Sequence, residues 1–291
     1  MIATTGFFDG VHYGHRLVIE RLVSEAHRRG DESLVVTFWP HPRAVLQDGA
    51  RELRLLTTLE EKKALLTELG VDRIEVLDFT RAFASLSAER YLREVLQGRF
   101  GVTTLLMGYD NRLGSDHLTV GSLRPVAEGI GLEVLEVEAL DGTVDHHPVS
   151  STTIRKALTA GGVEEAAGML GYPYALEGVV VAGNRLGRTI GFPTANMKLY
   201  EPLKLVPGNG VYAVDVQVLG RTYRGMTNIG TRPTVGGTFT TIETHILDFD
   251  EDIYGLPLRI TFLRRIRDEV YFPSLDALKE QLEKDREACR E

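Results

Sequence analysis

A change of pattern near residue 160 constrains this chain more than any other feature of its sequence. Before it, β-forming runs at 33–39, 73–79, 102–108 and 132–140 alternate with helical patterns over 16–29, 57–70, 85–98 and 119–131. Strands separated by helices of that length predict an α/β layer built on a parallel sheet. Leu17, Leu22, Val23 and Ala26 repeat near helical spacing, with Gly30 following as a stop. Thr58 and Glu61 have the spacing of a capping box. Two short helices are predicted at 150–161 and 163–170. From Tyr172 onward, β-rich runs at 174–182, 210–230, 240–247 and 256–263 follow one another with Gly/Pro punctuation and no helix between them. Val-Leu-Gly-Arg-Thr-Tyr (218–223) reads as a hairpin turn. That half predicts an antiparallel β-barrel, closed by an amphipathic C-terminal helix with Ser274 as its cap. The chain is therefore read as two domains, 1–165 and 166–291.

Composition narrows the function. A formal charge of −8 makes duplex nucleic acid a poor partner, because phosphate neutralisation supplies most of that affinity. The single cysteine, Cys289, excludes an internal disulfide framework and a cysteine-based metal site, which fits a reducing cytoplasm. The opening Met-Ile-Ala-Thr-Thr-Gly-Phe-Phe lacks the basic start of a signal peptide, and no run reaches the roughly 18 apolar residues of a membrane span. Small-molecule substrates are expected, with no membrane partner.

Chemistry-bearing residues cluster in each half. Residues 6–15, Gly-Phe-Phe-Asp-Gly-Val-His-Tyr-Gly-His, run from a short apolar lead into a helix. In an open parallel sheet, ligands bind at the carboxyl ends of strands beside helix N-termini, whose free N–H groups suit phosphate. His12 and His15 are three apart and share one face of the first turn, and Gly14 keeps bulk away from a ligand. Two imidazoles there can stabilise charge on a transferring phosphoryl group. The same pair also fits a structural or a metal role. A metal needs a third ligand, and the spacing of His27, His41, His117, His146 and His147 proposes none. In the second half, 183–196 reads Gly-Asn-Arg-Leu-Gly-Arg-Thr-Ile-Gly-Phe-Pro-Thr-Ala-Asn. It is not a P-loop, because Arg188 replaces the lysine and Pro193 forbids the following helix. Gly183 and Gly187 still let backbone N–H groups approach phosphate, while Thr194 offers a hydroxyl and Asn196 an amide oxygen to Mg²⁺. The acidic turn 248–255 lacks the spacing of a calcium loop and is expected to be solvated.

These blocks carry a resemblance. Phe-Asp-Gly-Val-His-Tyr-Gly-His (8–15), Gly-Tyr-Asp-Asn-Arg-Leu-Gly (108–114) and Ser-Ser-Thr-Thr-Ile-Arg (150–155) resemble, in order and spacing, the motifs of bacterial bifunctional riboflavin kinase/FMN adenylyltransferases. Gly-Phe-Pro-Thr-Ala-Asn (191–196) and the blocks through 210–285 resemble the riboflavin kinase part of that family. The resemblance implies a Rossmann-like nucleotidyltransferase domain and a riboflavin kinase-like barrel. It implies ATP as co-substrate, Mg²⁺ as cofactor, riboflavin and FMN as substrates, and FMN and FAD as products. Carried over residue by residue, it implies His12 and His15 as catalytic in adenylyl transfer. Gly6, Phe8, Asp9, Gly14, Ser151, Thr152 and Arg155 then hold ATP phosphates, and Asp110 and Arg112 meet flavin or nucleotide. It implies Glu243 as the base toward the ribityl hydroxyl, Gly183, Gly187, Gly191, Thr194 and Asn196 around Mg-ATP, and Thr194 as the Mg²⁺ ligand. The chain departs from the pattern at Asn111 and Leu113, where aromatic residues are usual, and at Phe7. The first two are expected to soften a ligand wall. Alternatives open on the residues are a kinase with a weak adenylyltransferase domain, a flavin carrier without turnover, and a nucleotidyltransferase for another phosphate.

Overall fold

The structure is a computed structural model describing residues 1–46, 53–109, 111–137, 143–144, 147–183, 186–234 and 237–290. It divides into two compact units, Met1–Ser151 and Thr152–Glu291.

The first unit runs β1 (Ile2–Thr5), α1 (Tyr13–Arg29), β2 (Ser33–Trp39), α2 (Pro42–Leu46), α3 (Leu59–Glu68), β3 (Arg73–Asp78) and α4 (Arg81–Ala84). It continues through α5 (Ala88–Arg90), a π-wound stretch Tyr91–Gln97, α6 (Gly98–Phe100), β4 (Thr104–Gly108), α7 (Val120–Glu128) and β5 (Glu133–Val137). A two-stranded ribbon, β6 (Thr143–Val144) and β7 (His147–Pro148), follows. The sheet is parallel throughout, in the order β3-β2-β1-β4-β5. Its strands bury both faces. Ala3, Leu34, Val36, Leu105 and Met107 pack with Tyr91, Leu92 and Leu123, while Ile2, Val35 and Leu106 pack with Ile19, Leu22 and Leu66. Strand order reverses at β1, which lies between β2 and β4, so the loops after β1 and β4 flank the crevice where such sheets bind ligands.

The helix α8 (Ser151–Thr159) enters the second unit after its first residue, and α9 (Val163–Leu170), β8 (Ala175–Val181), α10 (Leu186–Thr189) and β9 (Ala195–Leu199) follow. It ends with β10 (Gly210–Val218), β11 (Arg221–Thr234), β12 (Gly237–Ile246), β13 (Pro257–Arg267) and α11 (Leu275–Arg290). The strands close into a barrel in the order β10-β11-β12-β9-β8-β13. Gly208 N donates to Leu158 O at 2.8 Å and Arg265 Nη1 to Ala160 O at 3.3 Å, which ties the α8–α9 segment to the barrel. The helix α11 is capped by Ser274, whose Oγ accepts from Ala277 N at 3.2 Å. It is anchored by Asp285, buried against Arg267 with a contact of 2.7 Å. Cys289 fills a small core with Phe192, Ala213, Met226 and Leu247.

Three local expectations are revised. The helix predicted over 85–98 starts only after Ser87, whose hydroxyl caps it, and is wound as π over Tyr91–Gln97. The helix predicted over 150–161 spans only Ser151–Thr159, and the Oγ of its first residue donates to Asp9 O at 2.9 Å. Leu113 is 9% exposed and belongs to the core beside Leu123, so the replacement there belongs to packing and not to a ligand wall.

Candidate active sites

At the end of β1 the chain enters a tight loop. Phe8 (φ 52°) and Val11 (φ 37°) are held in the left-handed region, which costs side-chain-bearing residues energy unless the surroundings fix it. Asp9 does the fixing. Its buried carboxylate accepts from Leu56 N at 3.0 Å and Thr57 N at 3.1 Å, and Gly10 N donates to Thr57 Oγ1 at 3.1 Å. The Asp9 side chain therefore shapes the loop. Gly6 leaves room for the Phe8 ring, which an added Cβ would approach to 3.0 Å.

His12 is the N-cap of α1, with Nδ1 accepting from His15 N at 3.4 Å. In neutral His12 that places the proton on Nε2. The two imidazoles stack, with centroids 3.6 Å apart and planes 18° apart. Burial first, then the neighbouring His12 and Lys62, holds His15 well below the ordinary histidine value, so it is neutral at pH 7. Its Nδ1 is buried without a hydrogen-bond partner among the described residues. A Cβ on Gly14 would meet the His12 ring only at ordinary contact distance, 3.5 Å, so nothing in the protein itself demands a glycine there. Ser151 joins this loop through Asp9 O. Asp110 lies outside the described residues; Arg112 is exposed, between a partly buried Asn111 and a buried Leu113. Thr152 and Arg155 lie on α8, Thr152 exposed and Arg155 partly buried. The sequence reading passed over Lys62. It lies one turn before Leu66 on the buried face of α3, and that apolar spacing was the available signal.

In the second unit, ladder register assembles the chemistry. Asn196 pairs with Glu243 across β9–β12, and Glu243 with Asn228 across β12–β11. Directly opposed residues project to the same side of a sheet, so the three form one row. Glu243 and Asn228 line a cavity of about 300 Å³ walled by Phe192, Met226, His245, Phe272, Leu278 and Leu282, the last two from α11. A second cavity of about 350 Å³ is lined by Arg188, Thr244, Ile246, Phe249 and Tyr254, with the carboxylate-bearing turn Asp250–Asp252 along it. That turn, expected to be merely solvated, borders a cavity. Thr244 and Glu243 face opposite ways along β12, so the cavities lie on its two sides, and Thr194 lines both.

The glycines of this block are explained by close approach. A Cβ on Gly183 would come within 2.2 Å of Asn196 Nδ2, and one on Gly187 within 2.1 Å of Phe192 O. Gly191 has φ 84°. His245 Nδ1 donates to Pro193 O at 2.8 Å, holding the Phe-Pro-Thr turn, and burial lowers the His245 pKa. Arg232, also passed over in the sequence, holds Glu243 Oε1 at 2.5 Å. Among the described residues no cluster of three or more His, Cys, Asp or Glu could hold a metal. Thr194 and Asn196 instead offer two neutral oxygens, a donor set that fits Mg²⁺ only when phosphates complete its shell.

An imidazole pair at a sheet's switch point and a carboxylate beside a Gly/Pro-rich barrel loop form two separate polar sites, one in each unit. The FAD synthetase family model matches residues 1–153 and the riboflavin kinase family model residues 170–291. The chain belongs to the bifunctional riboflavin kinase/FMN adenylyltransferase family. The bifunctional riboflavin kinase/FMN adenylyltransferase of Listeria monocytogenes is 39% identical over 293 residues, covering 99% of this chain and 91% of that one. The protein of the same name from Escherichia coli is 38% identical over 296 residues, covering 100% and 92%. A crystal structure from Streptococcus pneumoniae, described as a macrolide-efflux protein, matches with a TM-score of 0.92 at 34% identity over 99% of this chain and 93% of that one. No helix among the described residues is long and apolar enough to cross a membrane.

Proposed function

We infer that the chain makes FMN from riboflavin and ATP in its second unit and FAD from FMN and ATP in its first. The observation that carries the kinase reading is the Asn196–Glu243–Asn228 row, whose Glu243 and Asn228 line a cavity with aromatic and aliphatic walls, next to Thr194, which also lines the second cavity beside Arg188. Riboflavin occupies the first cavity with its ribityl 5′-hydroxyl toward Glu243. Glu243 accepts the hydroxyl proton as the oxygen takes the γ-phosphoryl group and ADP leaves. Thr194 and Asn196 hold the metal, with Gly183, Gly187 and Gly191 giving backbone access to phosphate. Mg²⁺ bound there supplies charge neutralisation at those phosphates.

In the first unit, an FMN phosphate oxygen attacks the ATP α-phosphorus and pyrophosphate leaves. His12 and His15 donate to the developing charge, and no covalent enzyme intermediate is required. Ser151 holds phosphate, Gly6, Phe8 and Gly14 leave space for it, and Asp110 and Arg112 contact flavin or nucleotide. Asp9 serves by keeping the loop in shape. The two activities are assigned to 1–165 and 166–291, in the cytoplasm, with no nucleic acid or membrane partner. Incubation with riboflavin and Mg-ATP, resolving flavins over time, should show FMN first and FAD after it, with both lost on chelation of Mg²⁺. Absence of FAD from FMN and Mg-ATP at high enzyme concentration contradicts the two-activity reading.

A further inference from the structure

The assignments above leave Lys62 without a task. Its side chain is completely buried, so no substrate atom reaches it. Its Nζ donates to Phe7 O at 2.8 Å and to Thr37 Oγ1 at 3.1 Å, and lies 3.8 Å from the centre of the Phe7 ring. These partners satisfy hydrogen bonds without bringing a negative charge into contact, an arrangement that stability alone does not favour. Asp9, the nearby carboxylate that attracts it, is committed to Leu56 N and Thr57 N. Among the described residues, His12 and His15 on α1 and His41, whose ring lies 4.2 Å from that of Phe7, are titratable groups near it.

We propose that Lys62 is a positioning residue for adenylyl transfer: its buried ammonium pins the Phe7–Asp9 turn below His12 and His15 and supplies positive potential for the ATP phosphates without touching them. The proposal rests on the assignment of His12 and His15 to that reaction. Three observations support it. The ammonium holds the backbone carbonyl of the turn that leads into the histidine pair. Its charge is one of the causes keeping His15 neutral, a form that still carries one N–H to donate. Burial also brings Lys62 down to about 8, against the pull of Asp9, so its charge is lost within a range where an enzyme can be assayed.

The test is FAD formation from FMN and Mg-ATP by the full chain between about pH 6.5 and 9.5. For the wild type, kcat/KM for ATP should fall roughly tenfold as pH passes about 8, the effect of one charge acting across about 10 Å at an effective dielectric near 20. Lys62→Met should show a KM for ATP raised roughly tenfold at pH 7 and no alkaline limb. Lys62→Arg, charged throughout, should keep its rate at pH 9. Riboflavin kinase activity and a thermal melt report whether each variant is intact. A folded Lys62→Met with the wild-type rate and limb, or a folded Lys62→Arg with the wild-type limb, overturns the proposal. If both variants unfold the first unit, the wild-type profile decides, and a flat profile through pH 9.5 overturns it. Survival of FAD formation in His12→Ala would instead overturn the histidine assignment, whatever Lys62 does.

Discussion

At the scale of residues, each centre depends on a polar side chain whose surroundings set its state. His15 is kept neutral mainly by burial, and this has a consequence for stability. Unfolded, the same histidine takes up a proton near pH 6.5; folded, it does so only well below that. The unfolded state therefore binds more protons as pH falls through this window, and stability declines with it. His15→Gln should lose less stability than the wild type between about pH 6.5 and 5, by up to roughly 1.4 kcal/mol per pH unit, measured by urea denaturation of the first unit. An equal loss in both proteins would show that His15 titrates normally. A second residue-scale prediction concerns Gly183. Its missing Cβ is what allows the Asn196 amide to stand where it does. Gly183→Ala should lower FMN formation by about 10²-fold or more, since a displacement of roughly 1 Å suffices for that, while FAD formation from supplied FMN is unchanged.

At the scale of elements, the segments read correctly from sequence are those whose signals are local. The capping box of α3 is present, with Glu61 N donating to Thr58 Oγ1 at 3.1 Å and Thr58 N to Glu61 Oε2 at 2.8 Å. The hairpin after β10 turns on Leu219 (φ 53°) and Gly220 (φ 72°), the left-handed pair that a two-residue turn demands. The strand β9 was not legible: five residues after a proline, with site polar groups in place of an alternating apolar face, carry no strand signal. Glu243 was legible through its motif, but Arg232 was not, because their meeting depends on the β11–β12 hairpin bringing residues eleven apart to 2.5 Å. Lys62 was hidden for another reason, since its burial follows from which face of α3 the sheet covers. The helix α11 has a test of its own. Asp285 holds Arg267 with Arg267 Nε–Asp285 Oδ1 at 3.0 Å and Gln281 Nε2 adds 2.9 Å to the same oxygen. Asp285→Ala should cost about 3–5 kcal/mol, because it strands a largely buried guanidinium. It should also raise the KM for riboflavin, since Leu278 and Leu282 of α11 wall that cavity. A KM unchanged in a destabilised variant would separate the helix from the flavin cavity.

At the scale of the whole molecule, the chain joins two units that solve phosphate chemistry differently. On the proposed reading, the first would use neutral imidazoles and a sheet crevice, the second a carboxylate and a metal held by neutral oxygens. Their chemistries share no residue, so each should fail alone. The most direct measurement is a paired assay of Glu243→Gln and His12→Ala, following FMN formed from riboflavin and FAD formed from supplied FMN. Glu243→Gln should lose FMN formation by about 10²–10⁴-fold with riboflavin binding and FAD formation intact. His12→Ala should lose FAD formation by about 10²–10³-fold with FMN formation intact. Loss of both activities in either variant, or survival of the targeted one, would contradict the account.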